Sequence, residues 1–247
     1  GDFQSHIILP SLNLAVMDAA GSTFQGKLGQ IVADPRFTLY DHGALPGKAG
    51  SRRYTCEGLP TGKTLLIDRG RMVGFLTNDY YRKKILNSPD ALEKLGASPD
   101  QFPEAFVPRN GFRSGESLGR NFMAKPSISP TNVIVESEET CSLDQLLAEV
   151  DHGVYVGRIW YTYPMNGLRA GDFTSTIVGD SFLIQKGRKG TPLKPNTVRI
   201  HENIHRILQN ILAFGNNTRP VLLWGSPEVI YSPEIAVSQV RLQAIAG

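Results

Sequence analysis

The chain has 247 residues, 40% of them hydrophobic and 20% charged, which is long enough for one sizeable core and ordinary for a globular protein. A net charge of +3 is too small and too scattered to mark a nucleic-acid binder. The basic runs Arg82-Lys83-Lys84 and Lys186 to Lys189 read as solvated helix and turn positions. The two cysteines, Cys56 and Cys141, make neither a disulfide framework nor a metal-ligand spacing. With no signal peptide or long apolar run, the expectation is a cytoplasmic, reducing setting with no membrane partner.

In chain order, Gly1 to Gln25 alternates short apolar pieces with turn residues and reads as a variable leader, residues 1–25. Phe37 to Asp41 predicts a strand, ended by turn chemistry at His42-Gly43 and Pro46-Gly47. His42 beside Asp41 is either an acid–base pair or a turn histidine next to a capping aspartate. The run Gly58 to Thr64 imitates a phosphate-binding loop, but it is one residue short between its glycines and leads into a strand, so it lacks helix amides to hold an anion. Thr64 to Asp68 and Met72 to Leu76 predict a hairpin about Arg69-Gly70, and Asn78 or Asp79 caps a helix running to Leu86. Residues 87–130 form a long Pro-rich loop with a brief helical piece at Ala91 to Leu95. Thr131 to Glu136 is a strand, Ser142 caps a helix through Val150, and Val154 to Tyr163 is a long aromatic-rich strand.

In the second half, Thr174 to Val178 and Ser181 to Gln185 read as a hairpin about Gly179-Asp180, followed by a turn at Lys186 to Gly190. Ile200, Ile204, Ile207, Leu208 and Ile211 recur at helical spacing, and Gly215-Asn216 supplies a helix stop. Three more strands follow at Pro220 to Trp224, Val229 to Tyr231 and Ile235 to Leu242. The fold class expected from this order is α+β: a curved, largely antiparallel sheet with two or three helices packed against it.

Within the expected helix, His201-Glu202-Asn203-Ile204-His205 spells H-E-x-x-H. On a helix that spacing puts two imidazoles one turn apart, able to share a zinc ion while Glu202 polarises the bound water. A third protein ligand is required, and Glu228 and Glu234 lie in a strand-like tail. The competing account is a decorated amphipathic helix whose histidines sit on the shoulder of the apolar stripe.

Several blocks resemble one family. Gly171-Asp172-Phe173, then a hairpin, a basic linker, and Asn203, Ile204, Leu208, Asn210, Ile211, Gly215 and Asn216 resemble the carboxy-terminal domain of the TldD/PmbA proteins, variously called modulators of DNA gyrase and microcin-maturation metallopeptidases. Upstream, Lys27 to Val32, Phe37 to Gly47 (with Asp41, Gly43 and Gly47), Glu57-Gly58 to Thr61, and Thr64 to Ile67 with Gly70, Val73 and Gly74 continue the match in the family's order. The resemblance implies a domain over residues 26–247 and a partly open β-barrel. It also implies a zinc site carried by an H-E-x-x-x-H helix ahead of this region, with a Cys near the carboxy terminus as third ligand. Neither element occurs here, so the resemblance implies no cofactor in this chain and structural roles for the motif residues. Arg109 and Arg113 lie where the family has a basic segment, and are candidates for a lid over a peptide groove.

Three functions follow as expectations. The first is a subunit or domain of a peptide-processing metallopeptidase, without its own metal, that offers a sheet to extended peptide and an interface to a partner. That partner would be a second copy or a zinc-bearing TldD-like subunit. The second is an autonomous zinc peptidase using His201, Glu202 and His205. The third is a non-enzymatic protein-binding module, gyrase- or toxin–antitoxin-linked.

Overall fold

The computed structural model describes residues 1–113 and 121–245, and part of the long loop expected at 87–130 lies outside them. The central element is a six-stranded sheet in the order Arg219–Leu222, Val229–Ser232, Asn132–Glu136, Thr38–His42, Lys63–Asp68, Arg71–Met72. Every neighbouring pair is antiparallel except Val229–Ser232, which runs parallel to Asn132–Glu136. Alternation along these strands sends Leu39, Leu66, Val133, Val135 and Ile230 into the core, all at most 1% exposed. Leu242–Ala244, Val198–Asn203, Asp172–Gly179 and Arg158–Pro164 make a second, four-stranded sheet, and Arg188–Pro192, Phe182–Gln185 and Gly153–Tyr155 a third. Curved, largely antiparallel sheets with packed helices and no closed barrel make the fold α+β, as the strand-rich pattern predicts.

Local chemistry explains several boundaries. Asn78 caps the helix Asp79–Leu86, its side chain accepting from the Tyr81 N–H at 2.9 Å. Ser142 and Gln145 form a reciprocal capping box at the start of Leu143–Val150, and Leu146 and Leu147 are the buried positions of that helix. Arg69 and Gly70, with φ of +44° and +78°, make the primed turn between Lys63–Asp68 and Arg71–Met72. A Cβ on Gly70 would stand 2.5 Å from the Ala33 carbonyl oxygen. Gly70→Ala is therefore expected to cost about 2–3 kcal/mol, read as a lower urea midpoint at constant m-value.

Four expectations need correction. The first 25 residues, expected as a variable leader, are packed into the fold: Gln4–Ile8, Leu9–Ser11 and Leu14–Asp18 are helical, and Ile7, Ile8, Leu9, Leu12, Leu14 and Met17 join the main core. Gly179-Asp180 does not close a hairpin. Asp180 has φ +51°, but Gly179 stays in the strand, paired with Arg158, so the chain crosses to another sheet at that point. The primed turn falls instead at Lys186-Gly187 (φ +52° and +69°), joining Phe182–Gln185 to Arg188–Pro192. The strand expected from Val154 to Tyr163 is split, its two parts entering different sheets.

The fourth correction bears most on function. The helix expected from Ile200 to Ile211 is two strands and one short helix: Val198–Asn203 is extended, Ile204–Gln209 is helical, and Ile211–Phe214 is extended again. Asn203 marks the switch, its side chain accepting from the His205 N–H at 3.0 Å as an N-cap. Pairing with Asp172–Gly179 on one side and Leu242–Ala244 on the other holds the preceding segment extended.

Candidate functional site

The second face of the six-stranded sheet has an apolar centre bordered by charged and polar residues. Strand alternation that buries Leu39 and Val133 turns Tyr40, Leu65, Ile134, Val229 and Tyr231 to the opposite side, joined there by Pro220 and Leu222. Together they line an open concavity of about 1190 Å³. A sheet that faces water on one side normally alternates apolar and polar residues, so the apolar centre of this second face is suited to being covered. Its polar groups are ordered around the aromatic rings. The Tyr40 hydroxyl donates to Glu136 Oε1, and burial together with that carboxylate raises its pKa far above the usual tyrosine range. Lys63 Nζ lies 4.0 Å above the Tyr40 ring and Lys48 Nζ 4.2 Å above that of Tyr231.

Gly43, Gly47 and Gly58 lie in the 43–62 connection that folds over one end of this face, the Gly43 N–H bonding to the Gly62 carbonyl at 3.1 Å. Asp41 is on the inward side, separated from His42 by the strand's alternation, so the two do not form an acid–base pair. The Asp41 carboxylate, 1% exposed, accepts from the Thr131 N–H (2.6 Å), the Thr131 hydroxyl (2.9 Å) and Asn110 Nδ2 (2.7 Å). Burial pushes its pKa up to about 7 against the pull of those donors, and nearby Glu228 adds to the rise.

The H-E-x-x-H residues do not converge. His201 and Glu202 are neighbours in a strand and point to opposite faces, while His205 is on the helix beyond the Asn203 cap. Glu202, 1% exposed, is held by Arg241 Nη2 at 3.0 Å, Arg206 Nε at 3.2 Å and the Asn203 N–H at 2.9 Å. Burial alone would raise its pKa, but these partners hold it below the ordinary glutamate value. His205 Nε2 is engaged by the Thr23 hydroxyl at 2.8 Å, its ring edge-on to Phe24, and burial keeps it below the usual histidine pKa. Glu228 is buried beside Ser5, and Glu234 faces Gly215 and Arg219.

The other motif residues hold the fold together. Asn203 Nδ2 donates to the Ala170 carbonyl and to Asp172 Oδ1, both at 3.0 Å, closing the Gly171 turn. Phe173 is fully buried. The Asn210 carbonyl accepts from the Ser238 N–H, while Gly215 and Asn216 make backbone bonds to Glu234 and Cys141. Arg113 ties its own loop, donating to the Phe122 and Ala124 carbonyls. Arg109 lies against Gly62 and pairs with Glu104 at 3.6 Å, near one end of the sheet face.

Sequence reasoning missed Tyr40, Tyr231, Lys48 and Lys63 as members of one site. The available signal was that Thr38–His42, Lys63–Asp68 and Asn132–Glu136 carry apolar residues at both parities.

The chain is an α+β domain built on an open, largely antiparallel sheet. Residues 1–244 match the model of the PmbA/TldA metallopeptidase C-terminal domain, and the chain belongs to that family. A metalloprotease of Synechocystis is 26% identical over 191 residues, covering 77% of this chain and 34% of that protein. Among solved structures, TldE from Thermococcus kodakarensis superposes with a TM-score of 0.74 at 21% identity, covering 98% of this chain and 47% of that one. A Thermotoga maritima protein described as a modulator of a DNA gyrase gives 0.68 at 19%, covering 97% and 48%. The chain thus spans between a third and a half of the length of these relatives.

The family name implies a metal, and the residues present do not fit one. Among the described residues no group of three or more His, Cys, Asp or Glu side chains is placed to hold a metal ion. Of the H-E-x-x-H residues, Glu202 is already committed to two guanidinium groups and His205 to Thr23. Among the described residues no helix is long and apolar enough to cross a membrane.

Proposed function

We propose that this chain provides the peptide-binding sheet and the partner surface of a TldD/PmbA-type peptide-processing assembly, with zinc held outside its own residues. The observation that carries this reading is the central sheet whose second face also has an apolar centre, at Tyr40, Leu65, Ile134, Val229 and Tyr231. Its outer face is broad and concave, with Tyr40 and Tyr231 in its lining, and among the described residues no group of three or more His, Cys, Asp or Glu side chains is placed to hold a metal ion. Extended peptide suits such a surface because alternate side chains can enter it while the backbone stays free to pair with a strand edge. The partner is a second copy or a zinc-bearing TldD-like subunit.

The test uses Leu222→Glu, a substitution at a residue 75% exposed on the rim of the face, which leaves the core intact. Binding of a labelled extended peptide is expected to weaken about tenfold, since a carboxylate replaces apolar contact, with an unchanged unfolding midpoint. Equal affinity would remove the outer face from the reading. Near-stoichiometric zinc on the purified chain would revive the autonomous peptidase.

A further inference from the structure

We infer that this face selects extended peptides carrying an acidic and a basic side chain two residues apart, with Lys48 and Lys63 receiving the acidic one and Glu136 the basic one. The inference rests on the peptide-groove reading and adds to it a charge pattern in the occupant.

Pro220, Tyr231, Ile134, Tyr40 and Leu65 are successive cross-strand partners, so they form one row across five strands of the central sheet, and all five line the concavity. Two ammonium groups stand on this row. Lys63 Nζ lies 4.0 Å from the centre of the Tyr40 ring, and Lys48 Nζ 4.2 Å from that of Tyr231. Strands are about 4.8 Å apart, so the two tyrosines are rooted on either side of Ile134, about 10 Å from each other. Lys48 arrives from the 43–62 connection, which is fastened to the sheet where the Gly50 N–H donates to Asn132 Oδ1 at 3.0 Å.

Glu136 follows Ile134 by two residues on the same strand and so shares its face, about 7 Å further along. Its carboxylate accepts from the Tyr40 hydroxyl while Lys63 rests on the same ring, so one tyrosine positions both charges and keeps them apart. Among the described residues Lys48, Lys63 and Glu136 have no ion-pair partner. The remaining charged groups of the lining are Asp68 and Arg69, which pair with each other at 3.8 Å, and Glu138, which follows Glu136 in the chain.

An extended peptide has the same two-residue repeat as the strand beneath it. A carboxylate entering above Ile134 stands between the two ammonium groups, and a cation on the next side chain of that face comes to Glu136. A peptide whose acid and base are adjacent cannot make both pairs, because its two charges point to opposite sides.

The experiment measures anisotropy of three amidated, fluorescein-labelled heptapeptides with the 247-residue chain. They are Val-Ser-Glu-Ser-Lys-Ser-Val, its Gln-for-Glu and Gln-for-Lys counterpart, and Val-Ser-Glu-Lys-Ser-Ser-Val, all of equal net charge. The first is expected to bind about tenfold more tightly than the glutamine peptide, and Lys63→Gln to reduce that ratio to about threefold. Because the ratio is taken within each variant, any loss of folded protein cancels. A ratio unchanged in Lys63→Gln, or equal affinity for the adjacent-charge peptide, would overturn the inference. Measurable binding of all three with equal affinity would overturn it while leaving the groove in place. Binding of none would remove both.

Discussion

Asp41→Ala is expected to be among the most damaging single substitutions in the chain, costing about 3–5 kcal/mol. Its carboxylate is the shared acceptor for three donors from Asn110 and Thr131, residues that are themselves at most 1% exposed. Truncation leaves those donors with no acceptor and no route to water. It also releases the strand Thr38–His42 from the two ends of the segment between Asn110 and Thr131. Urea unfolding should show a lower midpoint at constant m-value, and a midpoint within 0.5 kcal/mol of the parent in energy terms would contradict this account.

The same residue predicts a pH dependence. Its folded pKa, about 7, lies above the ordinary aspartate value, so the folded chain holds this proton more tightly than the unfolded one. The stabilisation from protonation is complete below about pH 4 and is lost as pH rises through 7, up to about 4 kcal/mol in total. The protonated form keeps its bonds because the Thr131 hydroxyl can accept as well as donate. Asp41→Asn removes the titration. The stability difference between parent and variant should therefore shrink or reverse between pH 4 and 8, and parallel curves would rule this out.

Glu202→Ala should also cost about 1–3 kcal/mol, because it removes the acceptor of the Asn203 and Arg241 backbone N–H groups, while the half-exposed Arg206 and Arg241 guanidinium groups can turn to water. Since its partners hold Glu202 below the usual value, its contribution is present above the unfolded glutamate pKa and fades as the solution becomes more acid. His201→Ala, on the opposite side of the same strand, should change stability by less than about 1 kcal/mol. This pairing separates a scaffold role from a catalytic one. A zinc peptidase would lose activity in both variants while remaining folded, whereas the arrangement described here loses stability in one and keeps its stability in the other.

Features decided by near neighbours were legible from the sequence. The primed turn at Arg69-Gly70, the Asn78 and Ser142 caps and the strands of the central sheet each depend on a few adjacent residues. The failures came where distant pairing outweighed local pattern. Ile200 to Ile211 has a helical stripe, yet two flanking strands draw its first half into a sheet, and Asn203, a good N-cap, starts the helix later than the stripe suggests. Gly179-Asp180 has turn composition, but the strand it ends has partners on both sides already. The helical first 25 residues were underestimated because their apolar pieces are too short to show a period alone. The candidate face was invisible for a related reason: Tyr40, Lys63, Ile134 and Tyr231 come from four strands, and only the sheet order makes them neighbours.

That order has a kinetic corollary. Val229–Ser232 lies alongside Asn132–Glu136 in parallel, an arrangement that no tight turn can nucleate, and its partner belongs to a distant part of the chain. The antiparallel core of Asn132–Glu136, Thr38–His42 and Lys63–Asp68 can assemble earlier, leaving one edge of Asn132–Glu136 bare until the later strand arrives. During that interval the chain exposes an apolar ladder with open amides, the kind of template on which unfinished molecules stick to one another. Refolding yield should accordingly fall with protein concentration more steeply than native stability alone would suggest.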